Sequence, residues 1–333
     1  MSAETTEAPS ARKAPRTIKT AVVGVGAFGR QHARVLSSLP GAELAAVVDT
    51  DNARAQAVAK EFGCETVPDQ RALAGNVEAA IVAVPTARHA EVGTALLEAG
   101  IHVLLEKPIA PDLASADALI NAAREKGCIL QVGHLEQYNP AVEAVQALAS
   151  LPLFFEAHRM SPFSPRSLDV DVILDLMIHD IEIILSLVNS PIERFEATGI
   201  PILSGRADIG SVRLIFQNGC VANLTASRIS LERIRKLRLF QPRQYISIDY
   251  AAQEGVAFTL GESNDIQKNT LLIERAEPLV RQAEAFLETV RSRNVPRVPG
   301  EAARNALEVA LRIVEEMERH SRTVAETVAA EHR

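Results

Sequence analysis

Asp171, Asp175, His179, Glu182 and Ser186 recur at intervals that place them on one stripe of a helix, because successive helical residues advance about 100°. Most of what lies between them, in LDLMIHDIEIIL from Leu174 to Leu185, is apolar, and Asp180 points to the opposite side. Such a helix is buried on most sides and turns one polar stripe toward something wet or reactive, since charged groups inside a core need partners. Three readings compete. His179 bonded to Asp175 one turn earlier would be a core histidine with its polar atoms satisfied. His179 and Glu182 have ligand-like spacing, but a di-iron bundle needs that motif twice with supporting carboxylates, and one copy occurs. No metal is expected on that ground. The third reading is a catalytic stripe, in which a histidine titrating near neutrality moves a proton.

A second set of residues points to a dinucleotide. Gly24, Gly26 and Gly29 in GVGAFG have the spacing G-x-G-x-x-G. The first glycine permits a tight turn, the second lets a pyrophosphate approach the backbone, and the third lets helix and strand pack closely. The phosphate then sits at a helix N-terminus. Asp49 follows 20 residues after Gly29, at the end of the next β-rich run, where an acid accepts hydrogen bonds from ribose hydroxyls. A 2′-phosphate there would meet the carboxylates of Asp49 and Asp51, with Arg54 a helical turn further on, so NAD is favoured over NADP. In LLEKPIA, 104–110, Lys107 stands between Glu106 and Pro108 at the end of a strand. The proline fixes the chain, so the lysine is aimed rather than mobile; an isolated Lys-Pro pair would otherwise read as a surface turn.

These residues need elements to hold them. From Ile18 to Val132 the β-rich runs IKTAVVG, ELAAVVD, EAAIVAV, HVLLE and CILQV alternate with helices beginning near Ala27, Asn52, Thr86 and Asp112. Continuous apolar runs joined by helical crossovers imply parallel strands buried on both faces. After about residue 150 the runs lengthen and alternate: LFFEAHRM, IERFEATGI, SVRLIFQ, CVANLTASRI, IRKLRLFQ and QYISIDY, with Asn218-Gly219 as a hairpin turn. Two helices near 277–293 and 301–318 close the chain. The fold class is therefore α/β: an N-terminal Rossmann doubly wound parallel sheet over 17–133, then a C-terminal α+β domain over 134–333 with a large open, mostly antiparallel sheet. Residues 1–16, small, polar and proline-bearing, read as a disordered tail.

The bulk composition agrees. Of 333 residues, 47% are hydrophobic and 23% charged, which permits a packed core. A net charge of −7 argues against a nucleic-acid binder, which needs a positive field. Cys64, Cys128 and Cys220 are too scattered for a zinc site or a disulfide framework, and fit a reducing cytoplasm. Polar residues interrupt every apolar run short of the ~18 needed for a membrane span. A soluble, cytoplasmic protein is expected.

The glycine turn, AVPTARH at 83–89, the Glu106-Lys107-Pro108 triplet and the D-x-x-x-H helix together resemble the glucose-fructose oxidoreductase/inositol dehydrogenase/MocA family, over nearly the whole chain from Ile18. The resemblance implies a Rossmann domain followed by an open-faced sheet, and an NAD(P)-dependent dehydrogenase acting on CH–OH groups. It implies that Gly24, Gly26, Ala27, Phe28, Gly29, Asp49, Pro85, Thr86, His89 and Glu106 hold the cofactor. It also implies that Lys107, Asp175 and His179 surround the alcohol that loses hydride. His179 is the first choice as base, with Lys107 hydrogen-bonding the reacting oxygen, sharing the proton relay or itself acting as base, and Asp175 orienting or binding. Met177 stands where many members carry glycine, so packing there differs.

Within the family, VGHLEQYNPAV at 132–142 and the stretch 158–185 resemble the branch that oxidises the 3-hydroxyl of UDP-N-acetylglucosamine, for amino-sugar glycolipids of the lipid A type. That branch usually has Arg-Phe where Gln137-Tyr138 stand here. Tyr138, Asn139, Arg159, Arg166, Lys107, Asp175 and His179 are then the substrate-binding residues. Independently, Arg159 and Arg166 flank MSPFSP, a rigid basic loop suited to forked hydrogen bonds with a diphosphate. The arginine-rich stretch 227–243 reads as a solvated strand face or a subunit contact. A free-sugar or inositol dehydrogenase, and a non-catalytic NAD-binding regulator, are the alternatives. An open sheet face commonly drives self-association, so a homodimer or homotetramer is expected.

Overall fold

A computed structural model describes residues 16–164 and 170–331. The expected tail lies outside them except for Arg16, whose carbonyl accepts from Arg291 Nε at 2.9 Å. In the first half, strands β1 (Ile18–Val23), β2 (Ala42–Val48), β3 (Glu65–Thr66), β4 (Ala79–Val82), β5 (His102–Glu106) and β6 (Leu130–Gly133) alternate with helices α1 (Ala27–Ser38), α2 (Asn52–Phe62), α3 (His89–Glu98) and α4 (Leu113–Lys126). The strands form one parallel sheet in the order β3-β2-β1-β4-β5-β6. Reversal of strand order between β1 and β4 opens a crevice at their carboxyl ends, where such sheets bind ligands. Every residue of β4 and β5 is buried, including His102 and Glu106 at the ends of β5, as strands in the middle of a parallel sheet are covered on both faces. The two-residue, exposed β3 has no apolar run, and so was not among the expected strands.

The second half contains α5 (Pro140–Leu148), β7 (Phe154–Met160), a π-helical turn (Ile173–Met177) leading into α6 (Ile178–Leu187), and strands β8 (Ile192–Ile200), β9 (Ile209–Phe216), β10 (Val221–Ser227), β11 (Ile234–Gln241), β12 (Gln244–Asp249), β13 (Glu254–Leu260) and β14 (Ile266–Thr270). Their order is β14-β13-β12-β11-β7-β10-β9-β8, antiparallel except for β7 beside β10. Strands β13 and β14 add to the six expected; β14 is exposed throughout and carries no alternation to mark it. One face buries Leu214, Leu224, Leu237, Leu239 and Ile246 against Ile181 and Ile184 of α6. The other presents a row of rings, Phe154 tilted against Phe240 and then Phe240, Tyr245 and Phe258 stacked, across four strands.

The chain then returns. Helix α7 (Pro278–Ser292) packs Leu279, Ala283, Phe286, Leu287 and Val290 against Ile18, Val22 and Leu36 of the first sheet and α1. The long α8 (Gly300–Glu331) places Ala303 and Leu307 in the first domain's core and Ala310, Ile313 and Met317 in the second's. The first sheet ends at Gly133 and the second begins at Phe154, while α7 packs on the first sheet and α8 on both cores. Among the described residues no helix is long and apolar enough to cross a membrane.

Candidate active site

The glycine turn is built as the spacing requires. Gly24 has φ +85°, and a Cβ there would stand 2.7 Å from the Ala83 carbonyl oxygen; a Cβ on Gly29 would overlap the Gly24 carbonyl. Gly26 is different: the nearest atom to its virtual Cβ is Arg54 Nη1 at 4.0 Å, leaving the backbone open at the start of α1. Gly24, Gly26, Asp49 and Pro85 line a cleft of about 410 Å³. Asp49 accepts the Val25 N–H at 2.8 Å and the Asp51 N–H at 2.9 Å, so its carboxylate is fixed facing the turn. These residues fit a dinucleotide: an open backbone for pyrophosphate and a rigid acid for ribose. Arg54, expected to stand a turn away, folds back to 3.5 Å from Asp49 Oδ2 and 3.0 Å from Asp51 Oδ2.

Of the other residues expected to touch the cofactor, His89 and Glu106 hold the frame. His89 is 1% exposed and turns inward, its ring nitrogens 2.9 Å from the Pro108 carbonyl and 3.0 Å from that of Val84, clamping two loops. Glu106 turns under Gly133, where a Cβ would crowd its carboxylate, and meets His32 Nε2 at 2.8 Å. This ties α1 to the strand end that carries Lys107. Ala27 and Phe28 open α1, with Phe28 exposed and edge-on to His32, and Thr86 opens a short turn beside the cleft.

Lys107 joins the two domains. The Lys107–Pro108 bond is cis, and Nζ donates to the Asp175 carbonyl at 2.7 Å while standing 3.6 Å from Asp175 Oδ1. Burial pushes the ammonium below its ordinary pKa, against the opposing pull of Asp175 and Glu106. The expected α-helical stripe is altered at its start: a π turn adds a residue to the repeat and redirects the side chains. Asp171 becomes a cap, its Oδ1 accepting the Ile173 N–H at 2.9 Å, and Asp175 swings to Lys107 rather than to His179. Among the described residues no hydrogen bond joins Asp175 to His179, so the satisfied core histidine is not what forms. His179 Nδ1 is buried without a partner. Burial first, then the charges of Lys107 and Arg159, push the imidazole well below pH 6.5, leaving it neutral.

One neighbour of His179 escaped the sequence reading. His134, at the carboxyl end of β6, meets the His179 ring edge-to-face with centroids 6.1 Å apart, and both its nitrogens are buried and unpartnered. Burial, helped by Lys107, pushes it to about 3. Its place at the strand end beside β5 was the available signal.

The expected substrate arginine is not available as such. Arg159 is 3% exposed and forks onto Asp180, Nε at 2.8 Å and Nη2 at 3.0 Å, with Nη1 2.9 Å from Glu136. Alternation along β7 turns it toward α6, where buried Asp180 needs a cation. Tyr138 and Asn139 are likewise structural: Tyr138 lies buried under Arg297, and Asn139 caps α5 through the Ala141 N–H at 3.0 Å. Arg166 lies outside the described residues. Glu182 accepts from Gln137 Nε2 at 2.7 Å, and burial pushes its carboxyl up to about 8. Among the described residues no cluster of three or more His, Cys, Asp or Glu could hold a metal.

The chain is similar to known oxidoreductases. A family profile described as an oxidoreductase family with an NAD-binding Rossmann fold matches residues 18–134. UDP-N-acetylglucosamine 3-dehydrogenase from Acidithiobacillus ferrooxidans is 34% identical over 302 residues, covering 89% of this chain and 96% of the relative. Its solved structure superposes with a TM-score of 0.87 over 91% of this chain and 98% of that one. Inositol 2-dehydrogenase from Rubrobacter xylanophilus is 34% identical over 55% of this chain and 56% of its own. A levoglucosan dehydrogenase solved with NADH and levoglucosan shares the fold, with a TM-score of 0.83 at 17% identity over 91% and 98% of the two chains.

Proposed function

The chain belongs to the glucose-fructose oxidoreductase/inositol dehydrogenase/MocA family of oxidoreductases, and from that premise we propose that it oxidises the 3-hydroxyl of UDP-N-acetylglucosamine to a ketone with NAD. The observation that carries the chemistry is that half-buried His179, at the start of α6, follows four residues after Asp175, whose carbonyl and carboxylate hold Lys107 at the carboxyl edge of the Rossmann sheet. A base must be unprotonated to accept, and His179 is held so by its surroundings. His179 takes the hydroxyl proton. Lys107, fixed by the carbonyl and carboxylate of Asp175, donates to the reacting oxygen and steadies its growing charge. The nicotinamide, when bound, accepts the hydride. His134 packs edge-to-face against the His179 ring and supports it.

For the cofactor, Asp49 faces the ribose position with Asp51 beside it, and Arg54 offsets part of their charge. NAD is favoured, and titration should give it the tighter binding of the two cofactors. For the substrate, likeness to the Acidithiobacillus enzyme over most of the chain supports a nucleotide sugar. Engagement of Arg159 by two carboxylates favours a second reading, a free sugar or inositol, which needs no cation for a diphosphate.

The test is to incubate the protein with NAD and UDP-N-acetylglucosamine, trap the product with borodeuteride, and locate the label by mass spectrometry. Deuterium at C3 is expected. Label at another carbon would overturn the regiochemistry, and faster turnover of glucose or inositol than of any UDP-sugar would overturn the substrate class.

A further inference from the structure

With Arg159 enclosed, a diphosphate needs another cation, and strand register supplies one. Along β11, Leu237 and Leu239 point to the core beneath α6, so Arg235, of the same parity, points to that side, whereas Lys236 points to the open face. Arg235 pairs in register with Arg159, whose side chain demonstrates that this position reaches α6. The two guanidiniums differ in what they lack. Arg159 is fully engaged and 3% exposed; Arg235 is 39% exposed, and among the described residues its one ion pair is a 3.5 Å approach to Glu136 Oε1, an oxygen that Arg159 already holds at 2.9 Å. Among the described residues the Arg235 side chain donates no hydrogen bond.

We propose that Arg235 is the anion anchor of the substrate pocket, donating its free fork to the diphosphate of a nucleotide sugar. The inference rests on the nucleotide-sugar reading above. In such a substrate the diphosphate hangs from C1, two ring carbons from C3, so its anchor must lie within about one sugar ring of the base. Contacts bring Arg235 toward the base: it approaches the Glu136 Oε1 that Arg159 holds, and Arg159 in turn forks onto Asp180, the residue next to His179. Arg235 is also a cation short of counter-charge, pushed down by burial and by the neighbouring Arg159, a burden that an incoming dianion relieves. A forked donor suits phosphate oxygens, and an arginine serves there better than a lysine.

The experiment is calorimetric binding of UDP, which requires no turnover, to the unmodified full-length protein and to Arg235→Gln, Arg235→Lys and Lys236→Gln. Arg235→Gln should weaken UDP on the order of tenfold to a hundredfold, as loss of a charge-assisted hydrogen bond implies. Arg235→Lys should lose several-fold, and Lys236→Gln, on the opposite face, should bind as the unmodified protein does. NAD binding and melting temperature report folding; should the glutamine variant not fold, the lysine variant decides. Unchanged UDP affinity in a folded Arg235 variant, or an equal loss in Lys236→Gln, would overturn the assignment alone. If the unmodified protein binds no UDP yet oxidises a free polyol, the nucleotide-sugar reading falls and Arg235 falls with it.

Discussion

Lys107 and His179 make the sharpest claim at the scale of single residues. General acid–base groups contribute roughly 10²–10⁴-fold to rate, so Lys107→Ala and His179→Ala should each abolish most turnover while NAD binding persists, since neither lines the glycine-turn cleft. Near-normal turnover in either variant would remove its role. The pH profile carries the sign of the two shifts. His179 accepts a proton while neutral, and its pKa lies well below 6.5, so the acid limb of kcat/KM should fall below pH 6.5 rather than at it. Lys107 donates while charged, and its pKa lies below 10.5, so the alkaline limb should arrive before pH 10.5. A pH–rate series that placed the acid limb above 6.5 would contradict a buried histidine base. These residues are legible in the sequence through the family resemblance, since alone the Lys-Pro pair reads as a surface turn and the histidine as a satisfied core residue. Arg159 is not, because its fate depends on Asp180 and Glu136 converging from two other elements, which no local pattern records.

At the scale of elements, α6 shows what periodicity reveals and hides. Its apolar surround and polar side chains follow from spacing, but the π turn before it re-aims Asp171 and Asp175 without leaving a mark in the apolar pattern. Strand β14 escapes for a related reason: as an edge strand open to solvent it has no face to bury, and so no alternation. Glu182 on α6 gives a stability test. Its folded pKa is about 8 against an ordinary 4.5, so between those values the folded state keeps a proton that the unfolded chain has lost. Stability from this group is therefore present below pH 4.5 and lost as pH rises through 8, by about 1.4 kcal/mol per pH unit at most. Glu182→Gln, which still accepts from Gln137, removes that slope. Denaturant melts should show the variant gaining on the unmodified protein from pH 5 to pH 8; parallel curves would mean that Glu182 is ionised in the fold.

At the scale of the whole molecule, sequence order and spatial order part company. The run of alternating strands and helices up to Val132 reads as a complete domain, and the change of texture near residue 150 marks a second sheet, but neither tells where the last two helices go. Their apolar stripes say only that they pack, and each sheet has a face to offer. The structure gives α7 to the first domain, where Phe286 is 1% exposed among Ile18, Val22 and Leu36, and lets α8 bridge both. The cofactor sheet is thus closed by residues more than a hundred positions downstream of it. A fragment of residues 17–133 would expose that apolar face, and should neither melt cooperatively nor bind NAD. In the full chain, Phe286→Ala should cost about 3–5 kcal/mol, as for large core truncations. That loss should fall on the cofactor domain first, so NAD should protect the variant against proteolysis within 17–133. A fragment that melted cooperatively and bound NAD would show the first domain to be self-sufficient and α7 to be only a cover.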